Sequence, residues 1–295
     1  MSVIAVVVTF EPERSTLEAL LDALVPQVQR VVVVDNGSRA DVAAWLAPRA
    51  TPMVTLLAQA DNRGIAAAQN TGIQWARTQG ATHVLLMDQD SLPAPDMVAT
   101  LLSALSHHPV PAAAGPRYLD ARQDNPPPFI RVRGLHLKRC ACTTDSDVVA
   151  VDYLIASGCL IPMTVLEEVG VMREDLFIDY VDIEWGLRAR HHGFQSYGVC
   201  AAHMQHHLGE APMTWLGKSF PLHSPLRHYY HFRNAVLLYQ TAWIPTPWKL
   251  VDGWRLCLKY VFYTLFAKPR LAHWRMMTLG LVHGLAGRSG KLEGH

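Results

Sequence analysis

The sequence predicts an α/β fold: a mostly parallel, Rossmann-like sheet flanked by helices, followed by a mainly helical C-terminal extension. Two observations predict it. Short β-branched runs alternate with segments of helical periodicity near the N-terminus. The runs are apolar throughout and end abruptly in polar residues, as expected of strands covered on both faces.

Val3–Thr9 (VIAVVVT) reads as the first buried strand, and Ser15–Leu24 as a helix on Leu17, Leu20, Leu21 and Leu24, with Ser15 as its cap and Glu18 three residues on. Val31–Val34 is a second strand, stopped by the turn Asp35-Asn36-Gly37-Ser38. A helix over Ala40–Leu46, a strand over Val54–Leu57, a long helix over Gly64–Gln79 and a strand over His83–Met87 follow. This alternation implies right-handed β-α-β units, whose ligands sit outside the carboxyl ends of the strands. Thr9, Asp35, Asn62 and Asp88 fall at that edge. Further on, Asp124–Pro128 reads as a loop, Val148–Ile161 as strand material running into Ser157-Gly158-Cys159, and Phe177–Arg190 as an acidic cluster opening a helix. Beyond Trp215 come Pro221, Pro225, Pro245 and Pro247, then two amphipathic helices. The expected division is 1–215 as the catalytic unit (1–110 and 111–215 as its halves) and 216–295 as the extension.

With 295 residues, 50% of them hydrophobic, the chain can bury one substantial core. A net charge of +1 argues against a nucleic-acid partner. From Leu216 onward, however, eleven Lys or Arg face two acids, Asp252 and Glu293, amid many aromatics. Such a tail suits an anionic membrane surface, or packing against the catalytic unit or a second subunit in a homo-oligomer. Cys140, Cys142, Cys159, Cys200 and Cys257 match neither a disulfide framework nor a zinc site, and reduced thiols in a cytoplasmic protein are expected. Val3–Phe10 is too short for a cleaved leader, and no apolar run reaches the length of a membrane span.

Four groups of residues point to chemistry. Asp88-Gln89-Asp90 places two hard oxygen ligands at a strand end, which suits Mg²⁺ or Mn²⁺ beside a diphosphate. Asp35 could accept from a base or a ribose hydroxyl, and equally suits its turn. Asp61-Asn62-Arg63-Gly64 opens a helix with a small early face, favourable to phosphate or simply capped by asparagine. In FIDYVDIEWGLR, Asp182 at a helix start could take a proton from a hydroxyl, the dipole favouring its anion and neighbouring acids opposing it. His203, His206 and His207 could each complete a metal shell.

In order, VVVTF, VVDNGS, NRGIAAAQN, MDQDS, ASGCLIP and FIDYVDIEWGLRAR resemble the family 2 glycosyltransferases over roughly Ser2 to Glu210, and within them bacterial rhamnosyltransferases of cell-surface polysaccharide synthesis. The resemblance implies a GT-A fold and a metal-dependent, inverting single displacement. Thr9, Glu11, Asp35, Asn62 and Gly64 would line the nucleotide pocket, and Asp88 and Asp90 would stand at the metal and diphosphate. Gly158, Glu184 and Trp185 would border the acceptor, Asp182 would be the base, and His206 would join the metal shell. Where relatives have a Glu-Asp pair this chain has Val181-Asp182, so Glu184 or Asp179 is expected to support the base. The implied donor is dTDP-rhamnose and the acceptor a glycan or lipid-linked glycan, met at the inner face of the cytoplasmic membrane. A UDP-hexose donor, a sugar-phosphate nucleotidyltransferase and an inactive glycan-binding relative are the alternatives. The first strand lacks the Gly-rich, basic loop that a nucleotidyltransferase needs.

Overall fold

A computed structural model describes residues 1–47, 52–119, 129–206, 213–215, 218–220 and 222–294. The expected Asp124–Pro128 loop, His207 and the side chain of His206 lie outside that description. In chain order the elements are β1 (Val3–Thr9), α1 (Arg14–Leu24), β2 (Arg30–Asp35), α2 (Val42–Leu46), β3 (Val54–Ala58), α3 (Ile65–Thr78), β4 (His83–Asp88), β5 (Ser91–Pro93) and α4 (Met97–His107). Then follow β6 (Pro111–Leu119), the hairpin β7 (Phe129–Arg133) and β8 (His136–Cys140), β9 (Val148–Val151), β10 (Cys159–Pro162), α5 (Met163–Val169), α6 (Val181–His191) and β11 (Gln195–His206). The short pair β12 (Met213–Trp215) and β13 (Lys218–Phe220) leads to α7 (Pro225–Gln240), α8 (Thr246–Phe266) and α9 (Arg270–Leu285).

The central sheet runs β3-β2-β1-β4-β10-β6-β11-β5, with β9 also on β11. Its β3-β2-β1-β4 half is parallel, as the strand–helix alternation predicts. Strand β10 is antiparallel to both β4 and β6, so β6 and its parallel partner β11 run the same way as β4. Alternate residues of β1 face two cores: Ile4, Val6 and Val8 pack toward α3, and Val3, Ala5 and Val7 toward α1 and α4. That double burial is why the run is apolar at every position.

Four expectations are corrected. Helix α1 starts at Arg14 with Glu13 as its cap residue, and the Ser15 and Thr16 hydroxyls donate to the Glu13 carboxylate instead of capping. The Val148–Ile161 stretch is two strands in different places, β9 on β11 and β10 between β4 and β6. The extension holds α7 in addition to the two expected helices. Ser224 caps α7 by accepting the Arg227 N–H at 3.2 Å, and Pro225 occupies the first turn. Helix α7 is buried from His228 to Leu238 with only His231 less so, and therefore shows no amphipathic stripe to read. Finally, Cys142 and Cys200 form a disulfide with Cα atoms 5.7 Å apart, across 58 residues, while Cys140, Cys159 and Cys257 stay thiols. Cysteine spacing could not reveal a pair joined only by the fold. No described helix is long and apolar enough to cross a membrane.

Candidate active site

Three parallel strands end side by side. Thr9 is in register with Asp35 across β1 and β2, and Val8 with Asp88 across β1 and β4. Thr9 Oγ1 donates to Asp35 Oδ1 at 2.9 Å, and Asp35 Oδ2 accepts the Ser38 N–H at 3.2 Å. Glu11, at φ 46°, donates its N–H to Ser38 Oγ (2.8 Å) and accepts the Arg39 N–H on its carboxylate (3.0 Å). These bonds brace the loops after β1 and β2 against each other. Gln89, the middle residue of Asp88-Gln89-Asp90, adds a clamp the sequence did not suggest: its Oε1 accepts the Phe10 N–H (2.8 Å) and its Nε2 donates to the Phe10 carbonyl (3.2 Å).

Asn62 folds the next turn. Its Oδ1 accepts from Asn36 Nδ2 (3.1 Å) and from the Gly64 N–H (2.9 Å), while Asn36 Oδ1 accepts the Arg63 N–H (2.9 Å). Gly64 has φ +89°, and a Cβ there would lie 2.6 Å from the Phe177 carbonyl oxygen. The same carbonyl accepts the Ile65 N–H at 2.8 Å, so the expected donor-side turn is docked on the segment that leads to Asp182.

Asp88 and Asp90 are half-buried. The Asp88 N–H donates to Ser157 Oγ at 3.1 Å, and Ser157 and Ser91 share a hydroxyl contact of 2.7 Å, which ties the turn to the start of β10. Ser91 pairs in register with His206 of β11, so the backbone of His206 runs beside the residue following Asp90. Among the described residues no group of three ligating side chains converges. Two carboxylates from one turn nonetheless fit a hard divalent ion that completes its shell with phosphate oxygens and water.

Asp182 is the second residue of α6. Burial pushes its pKa up to about 6, the Ile183 N–H at 2.8 Å works against that, and the charges of Asp179 and Asp88 add to the rise. Asp182 and the Asp88 turn thus share one electrostatic environment. The expected contest between helix dipole and acidic neighbours is decided by desolvation. Neither expected supporter hydrogen-bonds to the base. Glu184 is buried and paired with Arg188 at 3.0 Å, and Arg188 also donates to the Val169 and Val171 carbonyls. Asp179 faces Arg227 at 3.3 Å. Trp185 is buried and donates to the Gly170 carbonyl at 2.9 Å, and Gly158, buried at φ +78°, packs against Pro116 and Met204.

The segment before α6 is strained: Phe177, Asp179 and Tyr180 have φ of 66°, 62° and 63°. Non-glycine residues hold such angles only when their surroundings enforce them. Enforcement comes from α7. Asn234 Nδ2 donates to the carbonyls of Leu176 (2.8 Å), Ile178 (2.7 Å) and Asp179 (3.0 Å), and Arg233 donates to Leu176 (2.9 Å). Tyr180 Oη donates to Asp252 of α8 at 2.9 Å. Arg227 also belongs here. Burial pulls its pKa down, but Asp179, with Asp88 and Asp182 behind it, outweighs that and keeps the guanidinium charged. Sequence reasoning missed Arg227, Arg233, Asn234 and Asp252. The one signal in the sequence is Ser224-Pro225, a pair suited to the start of a helix.

Comparisons with known proteins identify the family and the fold. The Glycosyl transferase family 2 model matches residues 4–160. The chain is 34% identical over 245 residues to the dTDP-rhamnosyl transferase RfbF of Shigella flexneri, covering 83% of this chain and 82% of that one. Among solved structures, S. aureus TarS 1-349 in complex with UDP-GlcNAc superposes with a TM-score of 0.63 at 13% identity, over 96% of this chain and 81% of that one. The mannosyltransferase PcManGT from Pyrobaculum calidifontis, in complex with GDP-Man and Mn²⁺, gives 0.59 at 16% identity, over 97% and 87%. The chain is therefore a glycosyltransferase with the GT-A fold, and it belongs to glycosyl transferase family 2.

Proposed function

We propose that the protein transfers L-rhamnose from dTDP-rhamnose, with inversion, to a hydroxyl of a glycan carried on a lipid at the inner face of a membrane. The observation that carries the chemistry is that the Asp88 charge reaches Asp182 and helps to raise its pKa, and that both carboxylates act on the Arg227 guanidinium. The choice of sugar rests on the likeness to the S. flexneri rhamnosyl transferase.

In this reading Thr9, Glu11, Asp35, Asn62 and Gly64 wall the nucleotide, as the braced loops after β1, β2 and β3 support. Asp88 and Asp90, with His206 as the expected third ligand, would hold Mg²⁺ or Mn²⁺, and the ion would offset the charge growing on the leaving diphosphate. Asp182 accepts the acceptor's proton on the face opposite the leaving group, so one displacement inverts the anomeric carbon. With a pKa of about 6 it is mostly ionised at neutral pH yet basic enough to act. Gly158, Glu184 and Trp185 shape the acceptor side from beneath. Residues 1–110 hold the donor, 111–215 the acceptor and base, and 216–295 the membrane-facing part.

The test is a panel of dTDP-, UDP- and GDP-sugars with Mn²⁺ or Mg²⁺, read as nucleotide diphosphate released. Metal-dependent release from dTDP-rhamnose is expected. Release only from a UDP-hexose overturns the sugar assignment, pyrophosphate overturns the reaction class, and silence with every donor overturns the enzyme.

A further inference from the structure

Helix α8 packs Trp248, Leu256 and Tyr263 into the core and is apolar on its solvent side as well. After its first two residues, every exposed position is apolar: Leu250, Trp254, Cys257, Leu258, Val261 and Leu265. Their spacing puts them on one face, about 22 Å long at the α-helical rise. Two charged groups of α8, Asp252 and Lys259, turn inward. Asp252 accepts from Tyr180 (2.9 Å) and Tyr239 (2.6 Å), and Lys259 Nζ lies 2.9 Å from His231 Nε2. Helix α9 continues the pattern, exposing Leu271, Trp274, Val282 and Leu285 with only Arg270 and Arg275 among them, and Lys268 precedes it. Trp254 is 66% exposed and Leu285 70%, values that water alone would not favour on adjoining helices.

We infer that the outer face of α8 and α9 docks on an anionic lipid bilayer, lying in the headgroup boundary with Trp254 and Leu258 inserted. Charge decides the occupant. The face carries Lys268, Arg270 and Arg275 and no acid, since Asp252 is turned inward. A two-fold dimer through this face would oppose like charges, whereas an acidic lipid surface complements them. Mixed apolar and cationic helices lying flat are the form such binding takes. The inference rests on the reading of a lipid-linked acceptor for its use.

The experiment is sedimentation of the full chain with vesicles of phosphatidylcholine, alone or with phosphatidylglycerol, beside donor hydrolysis in the same samples. Binding to phosphatidylglycerol vesicles that weakens with salt is expected. Trp254→Glu with Leu258→Glu should lower the bound fraction about tenfold, and Lys268→Glu with Arg270→Glu should lower it at low salt, both with donor hydrolysis and melting temperature unchanged. Absence from the pellet at low salt, or binding indifferent to these variants, overturns the inference. So does a concentration-dependent dimer that the Trp254→Glu, Leu258→Glu variant dissociates. Loss of donor hydrolysis in the unaltered chain would instead strike the transferase reading and leave the vesicle result standing.

Discussion

Asp182 owes its character to its surroundings. Its pKa of about 6 stands above the ordinary 3.8 chiefly because the folded chain desolvates it. In kcat/KM, activity should rise as pH climbs through about 6 and level off above, because the base must be ionised. Asp182→Asn should lower transfer by about 10²–10⁴-fold while donor binding, read by calorimetry, persists. The same substitution should stabilise the fold at high pH. Below pH 3.8 the carboxyl is protonated in both states; as pH rises toward 6 the unfolded chain ionises first, and above 6 the full cost of the buried anion is present. Urea melts should therefore show Asp182→Asn more stable on the order of 1–3 kcal/mol at pH 8, with no gain at pH 3.5. Arg227→Ala removes a cation facing Asp179, Asp88 and Asp182, so the lower limb of the pH profile should move to higher pH. A profile left in place would remove Arg227 from the site. Gly64→Ala, which must clear the Phe177 carbonyl at a positive φ, should cost stability of about 1–3 kcal/mol and weaken donor binding.

At the scale of elements, the strained turn and α7 form a unit. Asn234 holds three carbonyls whose residues lie 55 to 58 positions earlier in the chain. Asn234→Leu would leave them buried without that donor and release the left-handed angles at Phe177, Asp179 and Tyr180. A loss of about 2–4 kcal/mol in chemical denaturation, with a fall in turnover, is expected. A variant that kept both would show that the turn holds itself. Strands β1, β2 and β4 of the donor half were legible because each is a local apolar run, buried at nearly every position. Helix α7 was not, because it is buried nearly all round and carries its polar groups inward, which erases the periodicity that marks a helix.

For the whole molecule, the C-terminal helices extend the same core that covers one face of the sheet: Phe232, Leu238, Trp248, Leu256, Tyr263 and Met277 join Ile4, Val6 and Val8. Even the end of the chain returns, as Lys291 Nζ donates to the Asn62 carbonyl at 3.0 Å. Donor binding should therefore stabilise the molecule as one unit. With nucleotide sugar at a hundredfold excess over Kd, stabilisation of about 2.7 kcal/mol is expected, seen as one shifted thermal transition that loses its shift on chelation. Two transitions moving separately would contradict a shared core. Local composition and spacing alone reveal the order of strands and helices from β1 to β4, the polar residues at the strand ends and the acids to watch. Tertiary structure alone decided that burial tunes Asp182, that Arg227 faces the acids, that α7 enforces the turn and that Cys142 meets Cys200. Each of those depends on groups far apart in the chain being brought together, and on the water excluded when they are.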